Sequence, residues 1–149
     1  MTQSCFRRIG DERGTALLEM AMTLPLLLLV AIGIFEFGRA FQTWEVLTNA
    51  AREGARLAVL PSSTAANVQT RTKDYLNAGA LAGSSASVIV TPTTISIGGA
   101  NVSASRVTIN YPFQFMILQP VARLVVQGST LGQPITMSAS AEMRNESQF

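Results

Sequence analysis

The sequence predicts an α+β fold, in which one long N-terminal helix, transmembrane and then amphipathic, packs on a small antiparallel sheet. Three observations predict it. A long apolar run lies near the N-terminus, helical spacing of apolar residues continues beyond this run, and the C-terminal half alternates apolar and polar residues as strands do. With 149 residues, the chain is long enough for about one globular domain beside a membrane segment.

The composition favours a membrane segment joined to a modest globular part, since 48% of residues are hydrophobic and only 13% are charged. The chain has no histidine, and Cys5 is its one cysteine, so an intramolecular disulfide, a thiolate zinc site and a Ser-His-Asp site are excluded. The remaining acids show no spacing typical of a carboxylate active site. We therefore expect no enzyme and no cofactor. The net charge is +2, and the basic residues form no stripe in the sequence, so no nucleic-acid partner is expected.

The apolar run extends from Thr15 to Phe35, and Glu19 is its only charged residue. About 20 apolar residues suffice to cross a bilayer as a helix. Three basic residues precede the run: Arg7, Arg8 and Arg13. By the positive-inside tendency, they predict a cytoplasmic N-terminus and an exported remainder.

Two simpler interpretations of the run compete with a processed membrane helix. A cleaved signal peptide would require small residues at a cleavage site after the run, and Ala31 and Gly33 do not form one. An uncleaved signal anchor fits the length. Pro25 lies within the run and predicts a helix kink, which is either harmless or part of a helix that bends when its surroundings change.

The helical spacing continues past the run, so we predict one nearly continuous helix from Thr15 to about Leu60, roughly 70 Å long. Trp44 either belongs to its core-facing stripe or anchors the helix at the membrane interface. Glu53 and Arg56 are expected to form an i,i+3 pair. The stripe predicted to face the core comprises Phe37, Phe41, Trp44, Leu47, Ala51, Ala55 and Ala58.

Small residues recur every four positions in the second half of this helix, at Ala50, Gly54 and Ala58 and again at Ala51 and Ala55. Such spacing lets another element approach closely. We favour packing on the sheet of the same chain over a contact between subunits.

After a break at residues 61–64, a short second helix is predicted through Val68, Thr72, Tyr75 and Leu76, ending near Gly79 or Gly83. Three or four antiparallel strands follow. The predicted strand segments are residues 87–92, 94–113 with a turn at Gly98 and Gly99, and 134–144. The segment 113–128 is predicted to form a loop with a helical turn.

Glu19 requires an explanation, because a carboxylate within a membrane segment is energetically costly and usually functional. It lies five residues after Gly14, a residue that suits an extended, protease-accessible backbone. One alternative is that Glu19, only one turn inside the membrane, extends toward the headgroups.

The sequence resembles the TadE-like pseudopilins, minor pilins of the Tad/Flp branch of type IV pilus systems. Four segments carry the resemblance: RGTALLEMAMTLPLLLL (13–29), FEFGRAF (35–41), AAREGARLAVLP (50–61) and ASAEMRNE (139–146). The resemblance implies a pilin-like fold and cleavage by a prepilin peptidase after Gly14, so that Thr15 becomes the new N-terminus. It also implies that Glu19, the fifth residue of the mature chain, pairs with an α-amino group during pilus assembly.

The resemblance divides the chain into a cytoplasmic leader (1–14), a transmembrane and amphipathic long helix (15–60) and a periplasmic α+β head (61–149). It implies an inner-membrane protein that supports pilus initiation, assembly and adhesion. The implied partners are the bilayer, the prepilin peptidase, other minor and major pilins, and the inner-membrane assembly platform. The rival hypothesis is an uncleaved, membrane-anchored scaffold or binding module of a secretion apparatus.

Overall fold

A computed structural model describes residues 12–125, 130 and 132–146 of the chain. It confirms the predicted α+β class, with a long helix followed by a small antiparallel sheet. Apart from its last three residues, the predicted leader lies outside the described residues. The elements in chain order are α1 (Glu12–Ala58), α2 (Ala65–Ala78), a 3-10 turn (Gly83–Ser85), β1 (Ser87–Ile97), β2 (Ala100–Phe113), α3 (Leu118–Val125) and β3 (Ile135–Arg144).

Helix α1 is continuous and contains Pro25 in its interior. It agrees with the predicted helix to within three residues at either end. The chain divides into two compact units, one ending at Phe35 and one beginning at Glu36. The boundary coincides with the end of the apolar run, because residues after it have a packed face and residues before it do not.

Helix α2 begins and ends where its sequence predicts. The Thr64 side chain accepts a hydrogen bond from the Asn67 N–H at 3.2 Å, which caps the helix N-terminus. At the other end, the Gly79 N–H donates to the Tyr75 carbonyl at 3.0 Å. The residues that α2 buries are Val68, Thr72 and Leu76.

The sheet has three antiparallel strands in the order β1-β2-β3. Gly98 and Gly99 connect β1 to β2 with φ values of 58° and 85°, which suits a two-residue hairpin turn. Strand β1 continues through Pro92 to Ile97, further than the first predicted segment. Proline is tolerated there because β1 is an edge strand, on which one row of N–H groups needs no partner.

The core of the second unit forms where residues 36–58 of α1 meet α2 and the sheet. The small-residue face of α1 packs within the chain, as favoured from the sequence. A Cβ atom on Gly54 would lie 2.5 Å from the Thr72 hydroxyl and 3.2 Å from a Val107 methyl. The buried cluster is Leu47, Ala50, Ala51, Ala55, Val68, Leu76, Ala86, Val88, Val107, Ile109 and Ala139.

Candidate functional site

The first part of α1 exposes its apolar side chains on all sides. Its most apolar window of 18 residues has a mean hydropathy of 2.3, and none of that window is buried. Among the described residues, α1 is the one helix long and apolar enough to cross a membrane. Because an apolar surface of this extent is unstable in water, the segment requires a membrane or a protein partner.

Glu19 lies on this exposed segment. The three ion pairs among the described residues do not include it. Thr23, one turn further on, donates its hydroxyl hydrogen to the backbone carbonyl of Glu19 at 2.9 Å, an ordinary contact within a helix.

Gly14 lies within helix α1, so the extended backbone expected at this residue is not observed. The helix continues to Glu12 because the residues before the apolar run contain no proline and can extend the intrahelical hydrogen bonds. A peptidase that cleaves after Gly14 would have to unwind this first turn. Pro25, the residue at which the sequence predicts a kink, lies inside the same helix.

The prediction of which α1 residues face the core is wrong for the first half of the predicted stripe. Phe37, Phe41 and Trp44 are exposed, whereas Glu36 and Thr43 are buried. The three aromatic residues lie about a quarter turn around the helix from the buried face. The prediction failed because it placed aromatic residues in the core by their hydrophobicity, whereas the buried positions of this stretch are occupied by Glu36 and Thr43.

Glu36 is the residue that the sequence analysis missed. Its side chain is only 1% exposed, and its carboxylate forms an ion pair with Arg39 at 2.8 Å. The other carboxylate oxygen accepts a hydrogen bond from the Ile117 N–H at 2.6 Å. Ile117 immediately precedes α3, so Glu36 supplies a negative charge at the N-terminus of that helix.

The environment of Glu36 favours its ionised form. Burial by itself raises the pKa of this carboxyl. Hydrogen bonds from the backbone N–H groups of Ile117, Leu118 and Met116, together with the charge of Arg39, lower the pKa by more than burial raises it. The net pKa therefore lies below the usual value for glutamate. Glu36 is thus ionised, and its carboxylate links α1 to the segment before α3.

Arg39 extends this cluster toward the sheet. Its guanidinium lies 5.3 Å from the centre of the Phe113 ring, a cation–π distance. Phe113 in turn packs edge-to-face on Phe115, with ring centres 5.2 Å apart. Arg39 also borders an open cavity of about 360 Å³, whose other walls include Thr43 and Tyr111.

The sequence contains one signal for Glu36 that the predictions did not use. It stands inside FEFGRAF, a segment that carried the family resemblance, three residues before Arg39. This i,i+3 spacing predicts a pair on one helix face. Its hydrogen bond to Ile117, 81 residues away along the chain, has no local signature.

A second predicted contact also differs in the structure. Glu53 pairs with Arg71 of α2 at 3.1 Å instead of with Arg56. Helix α2 packs beside α1 and brings Arg71 to the carboxylate, while Arg56 is exposed. A further pair joins Arg106 and Glu142 across β2 and β3.

Within the described part of the chain, no three His, Cys, Asp or Glu residues form a group that could hold a metal ion.

Comparison with known proteins found one family similarity, which covers most of the N-terminal helix. Residues 14–56 match a family model described as TadE-like protein. No curated protein and no solved structure matches the chain. The match begins at Gly14, ends two residues before the end of α1, and includes Glu19, Glu36 and Arg39. The predicted resemblance to TadE-like proteins is therefore confirmed for residues 14–56, and this chain carries a TadE-like region along its N-terminal helix.

Proposed function

We propose that the chain is a minor pilin of a Tad-type pilus, anchored in the inner membrane with its head in the periplasm. The observation that carries this proposal is the exposed apolar part of α1, which contains Glu19, directly follows Gly14, and lies within the TadE-like region. Such a helix has two suitable environments: the bilayer before assembly and the packed helices of a filament afterwards. The chain supports pilus initiation or assembly and, through the pilus, adhesion.

In this proposal, a prepilin peptidase cleaves after Gly14 on the cytoplasmic side, and Thr15 becomes a charged N-terminus. Glu19 then pairs with the α-amino group of a neighbouring pilin as the chain leaves the inner-membrane assembly platform. Opposite charges in a low-dielectric environment attract much more strongly than in water, so the pair fixes the register between subunits. The exposure of Glu19 and the absence of an ion pair to it among the described residues support an intermolecular role.

The processing step is tested by mass spectrometry of the protein extracted from membranes of cells with and without the peptidase. We expect the mature chain to begin at Thr15 only where the peptidase is present. An intact N-terminus in both strains would refute processing. A Gly14→Leu variant is the matched control, because it should stay uncleaved while the head remains folded.

The assembly role is tested with Glu19→Ala. We expect normal cleavage and a folded head but a large loss of pili, since the buried α-amino group of the neighbour would lose its counter-charge. Glu45→Ala is the control, because Glu45 is an exposed glutamate of the same helix beyond the apolar run. Normal piliation in Glu19→Ala would refute the assigned role.

One observation favours a second candidate function, an uncleaved scaffold or binding module of a secretion apparatus. Gly14 is helical, and a helical backbone is a poor peptidase substrate. This candidate predicts that the leader is retained and that the protein does not co-purify with pili. The same mass spectrometry, applied to membrane and pilus fractions, separates the two functions.

A further inference from the structure

A cavity of about 360 Å³ lies in the second unit of the chain, between α1, the end of β2 and the segment that follows α2. Arg39 and Thr43 of α1 line one side, and Tyr111 of β2 lines another. A second cavity of about 190 Å³ adjoins it, since four residues line both: Arg39, Thr43, Ala80 and Leu81. Binding sites for small molecules commonly measure about 300–1,000 Å³, so the space suits a molecule the size of one sugar ring.

Arg39 supplies a positive charge to this cavity that Glu36 only partly balances. Glu36 shares its negative charge between the Arg39 guanidinium, at 2.8 Å, and backbone N–H groups at the start of α3, of which the Ile117 N–H lies at 2.6 Å. Those N–H groups carry the partial positive charge of a helix N-terminus. A guanidinium has five N–H donors, and within the described residues Arg39 donates one hydrogen bond, to Glu36. Its side chain is 31% exposed, so donors remain for a ligand in the cavity that it lines.

The other polar groups around the cavity are neutral. They include the hydroxyl groups of Ser85 and Tyr111 and the amide of Gln114, and none of these three side chains is hydrogen-bonded to another described residue. Such groups donate and accept hydrogen bonds, as the hydroxyl groups of a sugar do. Among the described residues that line the two cavities, none is acidic, so an anion meets no like charge there.

We propose that this cavity binds a uronic acid, an acidic sugar with one carboxylate and several hydroxyl groups. The Arg39 guanidinium pairs with the carboxylate, because its planar fork matches the two carboxylate oxygens. The sugar hydroxyl groups bond to Ser85, Tyr111 and Gln114. An acidic side chain of a protein would use Arg39 and leave these three neutral groups unbonded, whereas a uronic acid uses both kinds of group. All the lining residues belong to the second unit, so this site does not depend on the pilin role proposed above.

The test titrates the full chain with methyl β-D-glucuronide and follows binding by saturation-transfer NMR. The chain is held in micelles of lauryldimethylamine oxide, a detergent that carries neither a sugar nor a carboxylate. The neutral methyl β-D-glucoside is titrated in the same way, and acetate and inorganic phosphate are added as competitors.

We expect the glucuronide to bind about tenfold more tightly than the glucoside, the effect of one charge-assisted hydrogen-bonded pair. Arg39→Lys should weaken glucuronide binding severalfold, since lysine keeps the charge but loses the fork. Tyr111→Phe should weaken it severalfold because the variant lacks one hydroxyl group. Arg52→Lys is the matched control, because Arg52 is an exposed arginine of the same helix that does not line the cavity. Circular dichroism verifies that each variant retains its fold.

Three results would overturn the proposal, and each leaves the membrane anchor and the pilin role untouched. The first is no binding of the glucuronide. The second is equal binding of glucuronide and glucoside, or unchanged affinity in Arg39→Lys, which would remove the role of Arg39. The third is competition by acetate or phosphate at the concentrations at which the glucuronide binds, with Tyr111→Phe unchanged, which would indicate a simple anion site.

Discussion

The two halves of helix α1 differ in whether their side chains are buried against the rest of the chain, although they belong to one continuous helix. Residues 14–35 expose leucine and methionine on all sides, while residues 36–58 bury one face, which includes Glu36, Leu47 and several alanines. The two glutamates show the same difference. Glu36 is buried with two partners in its own chain, and Glu19 is exposed on the apolar surface. One half is therefore complete as a folded unit, and the other half requires a membrane or a partner.

This comparison teaches that the same residue type supports two roles according to tertiary context. A buried carboxylate with charged and backbone partners stabilises the chain that contains it. A carboxylate without such partners, such as Glu19, has the role in assembly that we proposed above and that remains to be tested.

The largest difference is expected between two leucines. Leu47 is completely buried and Leu27 is 64% exposed. Leu47→Ala should lower the free energy of unfolding of the head by about 2–5 kcal/mol through lost apolar contact and a cavity. Leu27→Ala should leave it unchanged within about 0.5 kcal/mol. Chemical denaturation of the full chain in detergent, followed by tyrosine and tryptophan fluorescence, measures both. Equal effects would contradict the separation of the two halves.

The next effect concerns Glu36. Glu36→Ala leaves the Ile117 N–H without its acceptor and Arg39 without its counter-charge, so we expect a loss of about 1–3 kcal/mol. Hydrogen exchange should increase most at Ile117, Leu118 and Val121, the start of α3. Glu45→Ala is the control, because Glu45 is exposed on the same half of the helix. Unchanged exchange at these three amides would show that Glu36 does not hold α3.

The contribution of Glu36 should also depend on pH. Because folding lowers its pKa, its stabilising effect is complete above the pKa of the unfolded chain. The effect is lost as the pH falls through the lower pKa of the folded chain. The difference in stability between the wild type and Glu36→Gln should therefore be largest near neutral pH and shrink in acid. Denaturation curves at several pH values measure it, and a constant difference would contradict the assignment.

Two glycines of α1 should respond to alanine with opposite signs. At Gly54 the new methyl group would meet the Thr72 hydroxyl at 2.5 Å, and we expect a net loss of about 1–2 kcal/mol after the gain in helix propensity. At Gly38 a Cβ atom meets nothing within 4 Å, and alanine should stabilise the helix by about 0.5–1 kcal/mol. Thermal unfolding of both variants checks the signs. Stabilisation by Gly54→Ala would contradict the close approach of α1 and α2.

The smallest effect is expected from the pair between Glu53 and Arg71. Both side chains are partly accessible to solvent, and such pairs contribute about 0.2–1 kcal/mol. Arg71→Ala should therefore destabilise the head only slightly, and less so at high salt. A double-mutant cycle with Glu53→Ala isolates the pair. A coupling energy that does not decrease with salt would contradict an electrostatic origin.

Much of the fold could be predicted because its signals are local. The cap at Thr64, the turn at Gly98 and Gly99, and the alternation through Val107 and Ile109 all act over a few residues. The small-residue face around Gly54 indicated close packing before its neighbours were known. The direction of the aromatic residues could not be predicted, because hydrophobicity alone does not distinguish a side chain that packs in a core from one that faces lipid.

For the candidate site, the apolar run from Thr15 to Phe35, the glycine before it at residue 14 and the position of Glu19 could be read from the sequence alone. These features depend on composition and spacing along one helix, and they are also where the family resemblance begins. Only the tertiary structure decided that Glu36 is buried and bonded to Ile117, that Glu53 meets Arg71, and that Phe37 and Phe41 are exposed. Those outcomes depend on segments far apart in the chain, which local periodicity does not encode.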